Sequence, residues 1–215
     1  MRNWCISSVR SLGISIDCRG QENVPDSGAY VYCSNHQSLV DIIVLGAVLP
    51  GDYKWAAKSS LMKIPFLGWH LRLAGHVPVE RGQGASTAEQ VVERFAGVLR
   101  EGKPLLIFPE GTRTVDGELK PFKRGAFRAA LAGASPIVPV ALCGTHNMMG
   151  KGDVSTGTGS KLVRVRIGEP ISIPTEGSEE ERVQALLEQS RAAIERLFLE
   201  LRERSDEGSS EGVRL

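Results

Sequence analysis

The sequence predicts an α/β fold in which a mostly parallel sheet is flanked by helices. Short runs of apolar and β-branched residues alternate along the chain with segments whose apolar residues recur at helical spacing. The runs at 104–108 and 137–142 are almost entirely apolar, as expected for strands that are buried on both faces. Strands that alternate with helices favour parallel pairing, because each helix carries the chain back across the sheet.

The predicted elements follow one another from residue 29 onward. Strands are predicted at 29–33, 53–57, 77–79, 104–108, 137–142 and 162–167, and helices at 39–48, 86–100, 122–132 and 178–204. The clearest helix begins with Ser86 and Glu89, which form a capping box, and stops at Gly102. One side of this helix is apolar and is expected to pack into the core; it consists of Val91, Val92, Phe95, Val98 and Leu99.

The stretch 61–71 is dense in large apolar residues and is interrupted by Pro65 and Gly68. A connector that packs into the core is the more frequent use of such a stretch. The same composition also suits an exposed apolar patch that meets lipid. The sequence leaves both alternatives open.

Composition is that of an ordinary globular protein and excludes several other classes. The 215 residues carry a net charge of +1, and 41% of them are hydrophobic, which predicts one domain with a substantial core. The four cysteines form no CxxC pair, so reduced thiols are expected and a zinc or redox site is not. No apolar run approaches the roughly 18 residues of a membrane span. Residues 1–20 lack the pattern of a signal peptide, so a cytoplasmic location is the default expectation.

The small net charge conceals an uneven distribution. Residues 51–130 contain 13 Lys and Arg against 8 Asp and Glu, whereas residues 176–215 contain 6 against 11. A basic centre suits an anionic ligand or an anionic membrane surface. The excess is too small, and too poor in interleaved aromatic residues, to predict a nucleic-acid partner.

One short motif contains two candidate catalytic residues. His36 and Asp41 lie five residues apart, between the strand at 29–33 and the helix at 39–48. Inside one helix, steps of about 100° per residue would place them roughly 140° apart. If Ser38 caps the helix, His36 lies in the loop before it, and the Asp41 carboxylate in the first turn can reach back to the imidazole. A histidine oriented by a carboxylate can act as a general base.

The same residues also have a purely structural interpretation. Ser38 followed by Asp41 resembles a capping box with Asp in place of Glu or Gln, and an acidic first turn suits the helix dipole. His36 would then be incidental. The motif alone does not separate the two interpretations.

A second polar motif, from Glu110 to Arg113, follows the strand at 104–108. Gly111 allows a turn, Thr112 can donate a hydroxyl hydrogen bond, and Arg113 offers a planar fork suited to phosphate. The carboxylate of Glu110 would repel phosphate, so we expect it to orient Arg113 or to accept a hydrogen bond from a substrate hydroxyl. A solvated glycine turn is the structural alternative.

Three candidate residues share a position in the predicted sheet. His36, Arg81 and Glu110 each come shortly after a strand. Sheets of this kind bind ligands beyond the carboxyl ends of their strands. The sequence therefore predicts that the three residues lie at one edge of the sheet.

Four blocks occur in a fixed order along the chain. They are Asn35-His36-Gln37-Ser38-x-x-Asp41, Gly75-x-Val77-x-Val79-x-Arg81, Phe108-Pro109-Glu110-Gly111-Thr112-Arg113 and Val138-Pro139-Val140. In these blocks the sequence resembles the glycerophospholipid acyltransferase family, most closely the 1-acyl-sn-glycerol-3-phosphate acyltransferases. The resemblance covers about residues 10–175.

The resemblance implies a glycerolipid acyltransferase-like domain over residues 1–204, with His36 and Asp41 as its catalytic pair. Six further residues are implied to bind substrate: Lys58, Arg81, Glu110, Gly111, Thr112 and Arg113. Residues 205–215 are polar and rich in Gly and Ser, and we expect them to be a disordered tail.

The implied reaction transfers a fatty acyl group from an acyl thioester to the free hydroxyl of lysophosphatidic acid, giving phosphatidic acid. The thioester is acyl-CoA or acyl carrier protein, and no metal or other cofactor is expected. Because Ser38 is better used as a helix cap and the four cysteines lie outside the catalytic pair, we expect direct transfer without an acyl-enzyme.

The sequence departs from the family pattern in two places. Pro78 and Glu80 stand near Arg81 where the family usually has Phe and Asp, which indicates a subtype. Many members also begin with a membrane-embedded helix or hairpin, whereas this chain begins near the family's core. An internal start codon or peripheral binding would account for this, and we expect peripheral association with the cytoplasmic face of the membrane, without a transmembrane helix.

Three alternative functions also fit parts of the sequence. The acceptor could be another lysophospholipid. The same His–Asp pair could serve a thioesterase or esterase that uses water, although two phosphate-directed arginines argue against this. A non-catalytic lipid-binding protein would be expected to have a damaged His–Asp pair, and here both residues are present.

Overall fold

The computed structural model describes residues 2–79, 88–146, 148 and 161–206. Within these ranges the helices are α1 (Arg2–Ser11), α2 (Val40–Val48), α3 (Leu67–Leu73), α4 (Ala88–Arg100), α5 (Gly125–Ala132) and α6 (Glu179–Asp206), with short 3₁₀ helices at Gln21–Asn23 and Ser59–Lys63. The strands are β1 (Ser15–Arg19), β2 (Val31–Ser34), β3 (Lys54–Lys58), β4 (Val77–Val79), β5 (Leu105–Ile107), β6 (Ile137–Cys143) and β7 (Leu162–Ile167).

The strands form a single mixed sheet in the order β1-β7-β6-β2-β5-β3-β4. Neighbouring strands pair in parallel except for β6 and β7, which are antiparallel. The predicted fold class, a mostly parallel mixed sheet flanked by helices, is confirmed. Strand β2 lies at the centre and is buried along its whole length.

Helices cover both faces of the sheet. Side chains alternate along β2: Tyr32 contributes to one apolar cluster, and Val31 and Cys33 contribute to another. The first cluster also contains buried residues of α1 and α2, and the second contains those of α4, α5 and α6. The core therefore consists of two layers of side chains that share one sheet.

Helix α1 and strand β1 were not among the predicted elements. The buried residues of β1 are Ile16 and Cys18, and the residues between and beside them are more exposed. This alternation is a weak strand signal over only five residues. Its partner β7 begins at Leu162, which pairs with Ser15, so the pairing depends on a contact that is distant in the sequence.

Helix α5 begins at Gly125, three residues later than predicted. The backbone N–H of Lys123 donates to the carbonyl of Pro109 over 2.8 Å, so the segment before the helix is held against the loop after β5. The predicted start of this helix at residue 122 is therefore three residues too early. Lys123 and Arg124 precede the helix.

The stretch 61–71 has one buried side and one exposed apolar side. Met62 and Leu71 are buried with Ala57 in a small cluster, which is the core-packing use. Phe66 and Trp69 point outward, with exposed fractions of 82% and 69%. One side of the stretch packs and the other is an exposed apolar surface.

Two predictions concern residues at the limits of the described ranges. The capping box of α4 requires Ser86, which lies outside the described residues. Helix α6 continues to Asp206, two residues beyond its predicted end at residue 204, and residues 207–215 lie outside the described part. Of the helices in the described part of the chain, none combines the length and the apolar character that crossing a membrane requires.

Candidate active site

His36 and Asp41 lie at the carboxyl end of the central strand and are in direct contact. His36 is in the loop between β2 and α2, and Asp41 is in the first turn of α2. The Nδ1 atom of His36 is 2.8 Å from Oδ2 of Asp41. Asp41 is completely buried, whereas the His36 side chain is partly exposed. The predicted contact between the two residues is therefore present.

The backbone before α2 fixes the Asp41 carboxylate. Its Oδ2 atom accepts hydrogen bonds from the backbone N–H groups of Gln37, at 2.6 Å, and Ser38, at 2.8 Å. The Ser38 hydroxyl oxygen accepts from the N–H of Val40 over 3.3 Å. The helix cap itself is Leu39, which makes no side-chain capping hydrogen bond, so the predicted cap at Ser38 is one residue too early. One half of a capping box is nevertheless present, because the Asp41 carboxylate accepts the N–H of Ser38 while it also contacts His36.

The second carboxylate oxygen of Asp41 contacts a residue that the sequence analysis did not single out. Thr145, which follows β6 and is fully buried, donates its hydroxyl to Oδ1 of Asp41. Thr145 is 104 positions from Asp41 in the chain, and an isolated threonine carries no local pattern. The only sequence signal is its place after a buried strand, at the edge where ligands bind in such sheets.

Asn35 anchors the motif to the sheet. Its side chain donates to the carbonyl of Leu142 and accepts from the N–H of the same residue, both over 2.8 Å. The amide thus continues the pairing of β2 with β6 for one more position, after β2 has ended at Ser34. This holds the start of the loop that carries His36.

The imidazole of His36 is also oriented by an aromatic neighbour. It stacks on the ring of Phe108, with 4.0 Å between the ring centroids and 17° between the planes. Phe108 directly follows β5, the parallel neighbour of β2. The carbonyl of His36 accepts from the N–H of Thr114 over 2.9 Å, so the second polar motif holds the first.

Glu110 lies behind His36 and is buried. Its Oε1 atom accepts the backbone N–H of His36 over 3.1 Å, and Oε2 has no hydrogen-bond partner among the described residues. Burial raises the pKa of Glu110 to about 7, and hydrogen bonding from the backbones of His36 and Lys120 partly opposes this rise. From the sequence, Glu110 is expected to orient Arg113 or to accept a hydrogen bond from a substrate hydroxyl. The hydrogen bond that the structure shows comes from the backbone N–H of His36.

The turn after Glu110 depends on glycine at position 111. Gly111 has φ +69°, and a Cβ there would come within 2.9 Å of Nζ of Lys123. Thr112 and Arg113 follow in the same turn and are half-buried. The carbonyl of Arg113 accepts from Nζ of Lys120 over 2.9 Å. Glycine therefore allows a lysine to lie close over the turn.

A cavity of about 570 Å³ opens beside His36. Two lysines, Lys58 and Lys123, line it together with the imidazole, and the remaining wall is mostly apolar. The apolar wall includes Ile42, Val79, Val91, Val92, Phe95, Ile107, Phe108 and Ala126. The apolar side of α4 packs into the second cluster, as predicted, and Val91 and Val92 also line this cavity.

The structure brings together most of the residues that the sequence singled out. His36, Lys58 and Gly111 line the cavity, and Asp41 and Glu110 lie behind the histidine. Arg81 lies outside the described residues.

Lys123 was not predicted as a site residue, although it sits two positions after Pro121 in a basic segment. In the described part of the chain, His, Cys, Asp and Glu side chains form no group of three or more that could hold a metal ion.

Fold and site together define a class of protein. It is an α/β domain with a carboxylate-oriented histidine at the carboxyl end of its central strand, beside an apolar cavity with two lysines. Such a site can remove a proton from a hydroxyl group that is bound next to the histidine.

Comparisons with known proteins name the family within this class. The model of the acyltransferase family matches residues 15–143. Over 137 residues the chain is 40% identical to the chloroplastic 1-acyl-sn-glycerol-3-phosphate acyltransferase BAT2 of Brassica napus, covering 63% of this chain and 39% of that protein. Over 156 residues it is 35% identical to the 1-acyl-sn-glycerol-3-phosphate acyltransferase of Saccharomyces cerevisiae, covering 72% of this chain and 51% of the relative.

A solved structure agrees with the sequence comparisons. The crystal structure of the 1-acyl-sn-glycerophosphate (LPA) acyltransferase PlsC from Thermotoga maritima superposes with a TM-score of 0.75 at 28% identity, over 91% of this chain and 77% of that one. The chain belongs to the acyltransferase family. It spans 39% and 51% of the two sequence relatives described above.

Proposed function

We propose that the protein transfers a fatty acyl group from an acyl thioester to the free hydroxyl of 1-acyl-sn-glycerol-3-phosphate, giving phosphatidic acid. The observation that carries the proposal is the contact of His36 with Asp41 beside a largely apolar cavity. The names of the relatives support the choice of acceptor.

His36 is proposed as the general base. With its proton on Nδ1, the imidazole donates a hydrogen bond to Oδ2 of Asp41, and the lone pair lies on Nε2. Nε2 takes the proton of the acceptor hydroxyl while the hydroxyl oxygen attacks the thioester carbonyl. Catalysis of this kind contributes about 10²–10⁴-fold in rate. As the tetrahedral intermediate collapses, the carbon–sulfur bond breaks and the protonated imidazole returns its proton to the thiolate.

Direct transfer is proposed, without an acyl-enzyme. Ser38 is fully buried, and its oxygen accepts the Val40 N–H. Cys33 is fully buried, and burial raises the pKa of its thiol, which disfavours the thiolate. Ser38 and Cys33 are therefore poorly placed to attack a thioester.

The basic groups at the site are proposed to bind the acceptor phosphate. Lys58 and Lys123 line the cavity and can neutralise a phosphate near its mouth. Arg113 and Thr112, in the turn after Gly111, and Arg81, by resemblance to the family, complete the proposed set.

The donor is proposed to be acyl-CoA or acyl carrier protein, with no metal or other cofactor. Lysophosphatidic acid has a long acyl chain and resides in membranes. We therefore propose that the protein works peripherally at the cytoplasmic face of the membrane. The apolar wall of the cavity is suited to an acyl chain.

The test is an acyltransferase assay with both thioester donors and a panel of lysophospholipid acceptors. Wild-type protein is expected to acylate lysophosphatidic acid in preference to lysophospholipids with larger headgroups. His36→Ala is expected to lower turnover by about 10²-fold or more. Its thermal unfolding should match that of the wild type, because the side chain is partly exposed.

Two outcomes of this assay would contradict the proposal. Substantial turnover by His36→Ala would remove the base assignment. Release of free fatty acid from the thioester at the same rate with and without acceptor would instead identify a thioesterase.

A further inference from the structure

Exposed apolar side chains are concentrated in one short segment. Among the described residues, eight large apolar side chains are exposed, and four of them lie between residues 64 and 73. We call these four the apolar patch: Ile64 (46% exposed), Phe66 (82%), Trp69 (69%) and Leu73 (85%). Single exposed apolar residues are common, but a cluster marks an interaction surface.

The segment that carries the patch is tightly built. The carbonyl of Met62, in the 3₁₀ helix, accepts a hydrogen bond from Arg72 of α3 over 2.9 Å. A Cβ on Gly68 would come within 2.1 Å of the same carbonyl, so the two helices are in close contact. Met62 and Leu71 are buried beneath them. The exposure of the patch is therefore a property of a packed scaffold.

The backbone at Phe66 is strained. Phe66 has φ +62°, in the left-handed region where a bulky residue other than glycine is rare. Such strain is retained mostly where a turn serves a function. Here the turn presents the aromatic ring to the outside instead of to the core.

The surroundings of the patch are basic. Residues 53–79 contain four Lys and Arg and no Asp or Glu. Lys54 is paired with Asp52, whereas Lys63 and Arg72 are exposed next to the patch. Large apolar side chains flanked by cations are complementary to a bilayer with anionic headgroups.

The patch adjoins the cavity at the candidate active site. Lys58 ends β3 and lines that cavity, and the 3₁₀ helix begins at the next residue, Ser59. After α3 the chain enters β4, whose last residue, Val79, lines the cavity again. The segment that bears the patch is thus connected at both ends to the cavity wall.

We propose that the apolar patch is the surface by which the protein docks on an anionic lipid bilayer. Phe66 and Trp69 enter the interface between headgroups and acyl chains, where aromatic rings are favoured, while Lys63 and Arg72 contact the headgroups. Docking in this way places the cavity mouth at the lipid surface. The proposal rests on the proposed function only in that a lipid acceptor would then enter from the bilayer.

The test is co-sedimentation with vesicles of phosphatidylcholine, with and without phosphatidylglycerol. Wild-type protein is expected to bind the anionic vesicles more tightly than the neutral ones. The double variant Phe66→Ser/Trp69→Ser should lose about tenfold or more in affinity for anionic vesicles, because two apolar side chains no longer enter the interface. Lys63→Glu should remove most of the preference for anionic over neutral vesicles.

Matched controls are available at exposed apolar residues outside the patch. Val115→Ser and Leu199→Ser remove side chains that are 70% and 53% exposed, and vesicle binding should be unchanged in both. Equal losses in the controls and in the patch variants would overturn the proposal. The proposal would also be overturned if the wild type formed a dimer, the patch variant were monomeric and vesicle binding persisted in that variant. A second copy of the chain would then be what covers the patch.

An activity measurement separates this proposal from the proposed function. The patch variants should retain turnover on a short-chain acceptor dispersed in detergent, and lose it on acceptor embedded in vesicles. Vesicle binding by a wild-type protein that lacks acyltransferase activity would refute the proposed function alone. Wild-type activity without vesicle binding would refute the docking surface alone.

Discussion

Asp41 shows how one side chain can serve both the start of a helix and the proposed catalytic pair. Three groups contact its Oδ2 atom: two backbone N–H groups and the His36 imidazole. The backbone contacts set the position of the carboxylate before the histidine engages it. Thr145 holds the other oxygen, so the carboxylate has no freedom to rotate. The direction of the His36 ring is therefore determined by groups that do not line the cavity.

Thr145 is predicted to be a positioning residue. Thr145→Val removes the hydroxyl that donates to Asp41 Oδ1, while the shape of the side chain is kept. The loss of a hydrogen bond to a buried charge should lower kcat by about tenfold, with little change in KM for the acceptor. Steady-state kinetics checks this. Thr145→Ser, which keeps the hydroxyl, should retain wild-type turnover; a parallel loss in the serine variant would indicate packing rather than positioning.

Glu110 makes stability depend on pH. Its pKa of about 7 in the folded protein exceeds its ordinary value of 4.5, because the carboxylate is buried. Between these two values the folded protein binds a proton that the unfolded chain has released. Stability from this group is therefore fully present below pH 4.5 and is lost as the pH rises through 7.

Glu110→Gln is predicted to remove this pH dependence. Glutamine keeps an oxygen that can accept the His36 N–H but carries no charge. The variant should match the wild type near pH 4 and exceed it in unfolding free energy by about 3 kcal/mol at pH 8. Urea titrations of both proteins across this range measure the difference. A difference that does not change with pH would refute the raised pKa.

The sequence could reveal those site residues that contact each other within one short segment. His36 and Asp41 are five residues apart in one turn, so their contact follows from the start of the helix. Thr145 reaches Asp41 only through the pairing of β2 with β6, and Lys123 reaches the cavity only through the loop at Pro109. Contacts of that kind depend on the completed sheet. No residue spacing in the sequence predicts these contacts of Thr145 and Lys123.

At the scale of elements, the connection between β3 and β4 is the unusual one. This connection contains a strained turn and four exposed apolar side chains within ten residues. An ordinary connection would hide such side chains, since their exposure lowers solubility. Stability and solubility are therefore expected to improve when this segment is changed.

Phe66→Asn is predicted to stabilise the protein and to weaken docking. Asparagine adopts the left-handed conformation more easily than a bulky aromatic residue, so the strain at φ +62° should be partly relieved. The unfolding free energy should rise by about 1 kcal/mol. Thermal denaturation and vesicle co-sedimentation test the two effects. A decrease in stability would show that the Phe66 ring contributes packing that its exposure conceals.

The limits of sequence prediction also follow from particular elements. The apolar runs that became β5 and β6 were predicted because their burial on both faces is visible in composition. The start of α5 was misplaced because a hydrogen bond from Lys123 to a distant loop competes with helix formation. The exposed side of the segment 61–71 could not be separated from its buried side, since both carry large apolar residues.

At the scale of the whole molecule, two apolar clusters share one sheet. Strand β2 contributes alternate side chains to both clusters, so loss of packing on one face weakens the support for the other. Helix α6 closes the second cluster with residues such as Val183, Leu186 and Ile194. The loop that carries His36 lies at the end of β2 and depends on both layers.

Ile194→Ala is predicted to destabilise the entire domain. Ile194 is fully buried, and its truncation leaves a cavity that should cost about 2–5 kcal/mol. Urea denaturation followed by circular dichroism and by tryptophan fluorescence should give one coincident, lowered midpoint. Separate midpoints for the two signals would show that the two faces of the sheet unfold independently.

Among the described strands, the only sheet neighbour of β1 is β7, which pairs Ser15 with Leu162, 147 positions later in the chain. Ser15 pairs with Leu162, and β7 is the strand that joins β1 to the rest of the sheet. During synthesis β1 therefore cannot pair with its neighbour until β7 has left the ribosome, a delay on the order of ten seconds at usual rates of synthesis. Throughout that interval the edge of β1 that pairs with β7 has no partner strand, and we expect a chaperone that binds extended segments to recognise it.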